Sequence, residues 1–118
     1  MTRLTAERKV RRAARAALDK RATDLIVLDV QGLSSVTDYF LVCNGKSTTH
    51  METITDAIRD ELKREGVRPL HAEGVPASGW ILLDYGDVLV HVFLEEPRAY
   101  YALERLWGDA PAVSLDGS

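Results

Sequence analysis

Few residues here could do chemistry. Gly45-Lys46-Ser47-Thr48 stands ahead of a helical pattern, as the end of a phosphate-binding loop does. That loop needs another glycine five positions before Gly45, so that backbone amides can cradle phosphates, and Phe40 stands there. A strand-to-helix turn with hydroxyl caps is the better reading. Asp84 and Asp87 flank Tyr85-Gly86 and could hold a metal ion between them. Two-magnesium transferase sites need two carboxylates alternating on one strand after a Gly-Ser turn, and no Asp-x-Asp follows Ser47. Turn chemistry is preferred for these aspartates. His50, His71 and His91 are the only histidines, and no two stand at helical metal-ligand spacing. Cys43 is the only cysteine and lies in an apolar run, so it reads as a buried, inert thiol. One cysteine excludes a disulfide framework or a cysteine zinc site within one chain. An enzyme is not the leading reading, and no metal or cofactor is expected.

The elements that position these groups centre on Trp80 to Trp107. Ile81–Leu83 and Val88–Leu94 are apolar runs around Asp84-Tyr85-Gly86-Asp87, the pattern of a β-hairpin. With Tyr85-Gly86 as a two-residue loop, Asp84 pairs with Asp87, Leu82 with Leu89 and Trp80 with His91. Strand side chains alternate, so Ile81, Leu83, Val88, Val90 and Val92 share one aliphatic face, expected to lie on the core. The other face carries Trp80, Leu82, Asp84, Asp87, Leu89, His91 and Phe93. It suits a covering helix or a partner, and His91 is expected to pack on Trp80. Asp84 and Asp87, facing each other, would repel and want a counter-charge. A short helix follows, with Pro97 in its first turn, Glu95 and Glu96 at its positive end, and Gly108 as its cap.

Earlier in the chain, Thr5 to Arg21 reads as a helix, with Val10, Ala14, Ala17 and Leu18 as its apolar stripe. Seven Lys and Arg make it basic; a solvated face is favoured over RNA contact, because no aromatic interleaves the charges. Asp24–Val30 and Val36–Cys43 read as strands. Ser47, Thr48 or Thr49 caps an amphipathic helix running to about Glu65, with Met51, Ile54, Ile58 and Leu62 inward. Leu70 to Glu73 reads as a short strand. The order predicts one α/β domain over residues 1–110, a mixed β-sheet flanked by helices, with a flexible tail at 111–118.

Composition sets outer bounds. The chain has 118 residues, 46% hydrophobic, with a formal net charge of −3. Bulk attraction to nucleic acid is not expected of it, DNA included. No apolar run is long enough to span a membrane and no secretory segment opens the chain, so a cytoplasmic protein is expected.

Four separated blocks, in order, carry a resemblance. They are Asp24 to Cys43, Gly45-Lys-Ser-Thr-Thr-His50, Trp80 to Phe93, and Arg98 to Trp107. They resemble the ribosomal silencing factor family (RsfS, or Iojap-like proteins) over nearly the whole chain. The resemblance implies a nucleotidyltransferase-like α/β fold without the catalytic carboxylates. It also implies binding to the large ribosomal subunit through its fourteenth ribosomal protein. Bound there, the protein would block joining of the small subunit and repress translation in starvation or stationary phase. The family's partner-binding positions correspond to Trp80, Tyr85 and Tyr101. Asp84, Asp87, His91 and Arg98 join them from the mixed face of the hairpin and the last helix. Two alternatives stay open: a nucleotide- or metal-dependent transferase, and a scaffold that forms a homodimer when free.

Overall fold

The computed structural model of the protein describes residues 4–33, 35, 37–95 and 110–113. The helix expected after Pro97, with Arg98 and Tyr101, lies outside the described residues, as do positions 114–118.

The first helix, α1, spans Ala6–Asp19. Thr5 caps it, its hydroxyl accepting from the Arg8 N–H at 3.2 Å. Val10, Ala13, Ala14, Ala16 and Ala17 are buried, and Leu18, expected in the stripe, is 46% exposed. The buried side is thus almost all alanine. That small surface lets α1 lie close to its neighbours, whereas Leu18 sits on the far side. Arg21 closes the helix at φ 64°, a left-handed position more often filled by glycine.

Among the described residues five strands form one mixed sheet in the order β1-β2-β5-β4-β3. They are β1 Thr23–Asp29, β2 Tyr39–Gly45, β3 His71–Val75, β4 Trp80–Asp84 and β5 Val88–Leu94. Strand β2 is parallel to β5, and every other pairing is antiparallel. The second helix, α2, spans Thr48–Lys63 with Ser47 as its cap. His50 ties the helices together: its Nδ1 accepts from the Lys46 N–H at 2.9 Å, and its Nε2 meets the Lys20 carbonyl at 2.6 Å.

Both helices pack on one face of the sheet. Met51, Ile54, Ile58 and Leu62 of α2 join the alanines of α1 over Leu41, Cys43, Leu83, Val88, Val90 and Val92. The aliphatic face of the hairpin is therefore core, as its alternation predicts. Cys43 is fully buried there, and burial pushes its thiol up to about 12, out of reach as a nucleophile at neutral pH.

The hairpin register differs from expectation by two residues. Trp80 pairs with Phe93, Leu82 with His91 and Asp84 with Leu89. The loop is Gly86-Asp87, closed by the Tyr85 N–H donating to the Val88 carbonyl at 2.9 Å. Gly86 has φ 87° and Asp87 is not in the positive-φ region. This is the arrangement of a type II′ turn, which wants glycine first. A two-residue shift conserves which side each residue faces, so the faces stay as predicted while the cross-strand partners change. It also moves Tyr85 out of the loop and onto the core side.

Residues 111–113, expected to fray, instead run along the outer edge of β1. Asp29 donates to the Pro111 carbonyl at 2.9 Å and Val113 to the Val27 carbonyl at 2.8 Å. An edge strand presents unpaired backbone groups, and this segment satisfies two of them, the Asp29 N–H and the Val27 carbonyl.

Candidate partner-binding face

The sheet face opposite α1 and α2 is built in rows across the strands. One row reads Val75, Trp80, Phe93, Asn44. The next reads Glu73, Leu82, His91, Val42, Ile26, and the third His71, Asp84, Leu89, Phe40, Leu28. Leu28, Val30, Phe40, Val42 and Phe93 form a second apolar cluster here, with Ile26, Trp80, Leu89 and Ala110 packed on it. Phe40, Val42, His91 and Phe93 are buried, whereas Trp80, Leu82 and Leu89 remain partly exposed. At the sheet edge all five residues of β3 are exposed, Val75 to 59%.

Trp80 and His91 are the centre of this face. They sit on neighbouring strands, diagonal to one another. The indole N–H donates to His91 Nδ1 at 3.2 Å, with the rings stacked at 6.2 Å and 23°. Indole nitrogen can only donate, so His91 carries its own proton on Nε2. That Nε2 is buried with no hydrogen-bond partner among the described residues. Phe93 lies parallel to the imidazole at 6.1 Å, and Phe40 meets it edge-on at 5.6 Å. Burial in this aromatic setting lowers the His91 pKa to about 4. At neutral pH it is an uncharged packing and acceptor group, which fits the structural role expected of it beside Trp80.

The position of Trp80 is set from β3. Gly74, opposite Ile81, has φ 86°, and a Cβ there would overlap the Trp80 carbonyl oxygen. Only glycine lets β3 come this close.

The other candidates separate. Tyr85 is 5% exposed and belongs to the helix-side core, so it does not share the Trp80 face. Its phenol is buried without a hydrogen-bond partner among the described residues, and burial pushes its pKa up to about 12. Asp84 and Asp87 do not face each other. Asp84 accepts from the Gly86 N–H at 2.7 Å, as turn aspartates do. Asp87 has its counter-charge: Lys9 of α1 donates to both carboxylate oxygens at 3.0 Å. Both aspartates are thus committed to the turn rather than poised on a shared ion.

Sequence reasoning missed Phe40 and Lys9. Phe40 was legible in principle, since Phe40 and Val42 alternate with Leu41 and Cys43 in β2. Nothing in the sequence joins Lys9 to a turn near residue 87.

This geometry defines a class: a small α/β domain whose sheet carries an aromatic, partly exposed face on the side away from α1 and α2. The match to the family model described as "Ribosomal silencing factor during starvation" covers residues 3–118. A ribosomal silencing factor of Bacillus subtilis is 47% identical over 104 residues, 88% of each chain. A chloroplastic Iojap protein of Zea mays is 36% identical over 86% of this chain and 44% of its own. A crystal structure from Chromobacterium violaceum superposes with a TM-score of 0.83 at 31% identity, covering 98% of this chain and 95% of that one. This chain belongs to the ribosomal silencing factor family, whose name places it in translation regulation and in association with the ribosome. Among the described residues no helix is long and apolar enough to cross a membrane.

Proposed function

We propose that the protein is a cytoplasmic ribosomal silencing factor that acts by steric occupation rather than catalysis. Its Trp80 face docks on the large subunit through the fourteenth ribosomal protein of that subunit and obstructs joining of the small subunit. Translation falls accordingly in starvation or stationary phase. The observation that carries the reading is Trp80 itself, a half-buried tryptophan braced from below by His91 and Phe93. Rigid aromatic anchors of this kind supply a large share of interface energy. Leu82 and Leu89 extend the apolar contact, and Asp84 gives it an acidic rim suited to a basic ribosomal protein. Tyr101 and Arg98 are proposed contacts from the resemblance alone. Tyr85 takes a supporting place beneath the turn.

Sedimentation with purified subunits tests the proposal. The protein should travel with the large subunit and reduce formation of the joined ribosome. Trp80→Ala should weaken that association about thirtyfold or more while the far-ultraviolet spectrum stays unchanged. Co-migration with the small subunit alone, or full binding by the variant, would refute it.

A further inference from the structure

The sheet has two outer edges, and the fold treats them differently. The β1 edge is overlaid by residues 111–113. The β3 edge is covered by no element among the described residues. Soluble proteins blunt such an edge with lysine, proline or a cover. Between Pro69 and Pro76 this one carries neither lysine nor proline. All five residues of β3 are exposed, and Leu70 just before it is 77% exposed.

Hydrogen-bond parity identifies the backbone groups that the edge offers. The Tyr85 N–H donates to the Val88 carbonyl, and the Leu94 N–H to the Gly79 carbonyl. Ile81 and Leu83 therefore turn their backbone groups to β5, whereas Trp80, Leu82 and Asp84 turn theirs to β3. The partners of those three on β3 are Val75, Glu73 and His71. Ala72, between two of them, is left with its N–H and carbonyl facing outward.

The side chains at this edge continue the rows of the Trp80 face. Val75 lies beside Trp80, Glu73 beside Leu82 and His71 beside Asp84. His71 Nε2 engages one Glu73 oxygen at 2.7 Å. Glu73 and Asp84 make the middle of the edge acidic, and Val75 makes one end apolar.

We propose that the β3 edge takes an extended segment of a partner protein as an added strand, one with an apolar side chain against Val75 and a basic one, two residues along, against Glu73. The inference rests on the docking reading above and supplies its mode. Main-chain pairing at Ala72 adds affinity beside the Trp80 anchor, and alternate side chains select the partner. A second copy of this chain fits less well. Antiparallel self-pairing about Ala72 matches His71 with Glu73 but sets Pro69 against Val75. Proline cannot extend a ladder, so Val75 stays uncovered.

Backbone hydrogen exchange of the full chain, alone and with purified large subunits, tests this. Residues 70–75 should exchange freely alone and slow about tenfold or more on the subunit. Ala72→Pro removes the outward N–H and touches no bond to β4. It should weaken sedimentation with the large subunit about tenfold, with the circular dichroism spectrum unchanged. Glu73→Lys keeps the backbone intact and should weaken it about threefold, more so at low salt. The inference is overturned if residues 70–75 exchange as fast on the subunit as off it, or if both variants bind as the parent does. It is also overturned if light scattering shows the free parent as a dimer that Ala72→Pro makes monomeric. Either of the first two results, with Trp80→Ala still impaired, removes this inference alone. Full binding by Trp80→Ala with loss in Ala72→Pro supports the added strand and removes the Trp80 anchor. Failure of the parent to travel with the large subunit removes both.

Discussion

Lys9, near the start of α1, holds both carboxylate oxygens of Asp87 at 3.0 Å, and so fastens the first helix to the turn between β4 and β5. The side chains are only 16% and 32% exposed. Such a pair is screened less than one on the open surface and should contribute more than the small amounts typical there. Asp87→Asn should lower stability by about 1–2 kcal/mol, because it leaves the Lys9 charge partly buried without its partner. Urea unfolding of Asp87→Asn, Lys9→Met and the double variant gives the coupling, expected at about 1 kcal/mol. A coupling near zero would show that the pair holds nothing.

His91 gives the fold a specific acid sensitivity. Its pKa falls from 6.5 to about 4 on folding, through burial. Between those values the unfolded chain binds the proton that the folded chain refuses. The contribution of His91 is therefore complete above pH 6.5 and is lost as pH falls toward 4. Its size is on the order of 3 kcal/mol. Denaturant midpoints measured at pH 7 and pH 4.5 should differ less in His91→Gln than in the parent, since Gln keeps an acceptor for the Trp80 indole and does not titrate. Equal pH dependence in both proteins would place the acid sensitivity elsewhere.

Gly74 is the position where a single methyl group should matter most. Ala there must hold a left-handed backbone and also push against the Trp80 carbonyl. Gly74→Ala should cost about 2 kcal/mol or more and shift Trp80 fluorescence, since β3 must move away from β4. Thermal unfolding and the emission spectrum check this together. An unchanged melting temperature would mean that β3 adapts freely.

Much of this molecule was legible because hydrophobic alternation reports sidedness well. The aliphatic side of the hairpin and the α2 stripe follow from spacing alone, and the structure selects Ser47 from the three hydroxyl residues that could cap α2. Register was harder. Asp84-Tyr85-Gly86-Asp87 allows glycine in either loop position, and only the closing Tyr85–Val88 bond distinguishes them. That choice sent Tyr85 into the core and parted Asp84 from Asp87. The α1 stripe was blurred for another reason: its buried side is one valine and four alanines, a small-residue face that contrasts weakly with its neighbours in hydropathy. The Lys9–Asp87 pair joins residues far apart in the chain, and local pattern carries no trace of it.

The parallel pairing of β2 with β5 reaches beyond the finished fold. Every residue of β2 is buried, yet Tyr39 meets Val88 about fifty residues further along the chain. During synthesis β2 and β1 can form a ladder early, but the other edge of β2 waits until β5 has left the exit tunnel. For that interval the nascent chain carries half paired a strand whose every residue is buried in the finished fold. The charged outer side of α1, made first, would oppose association of such chains.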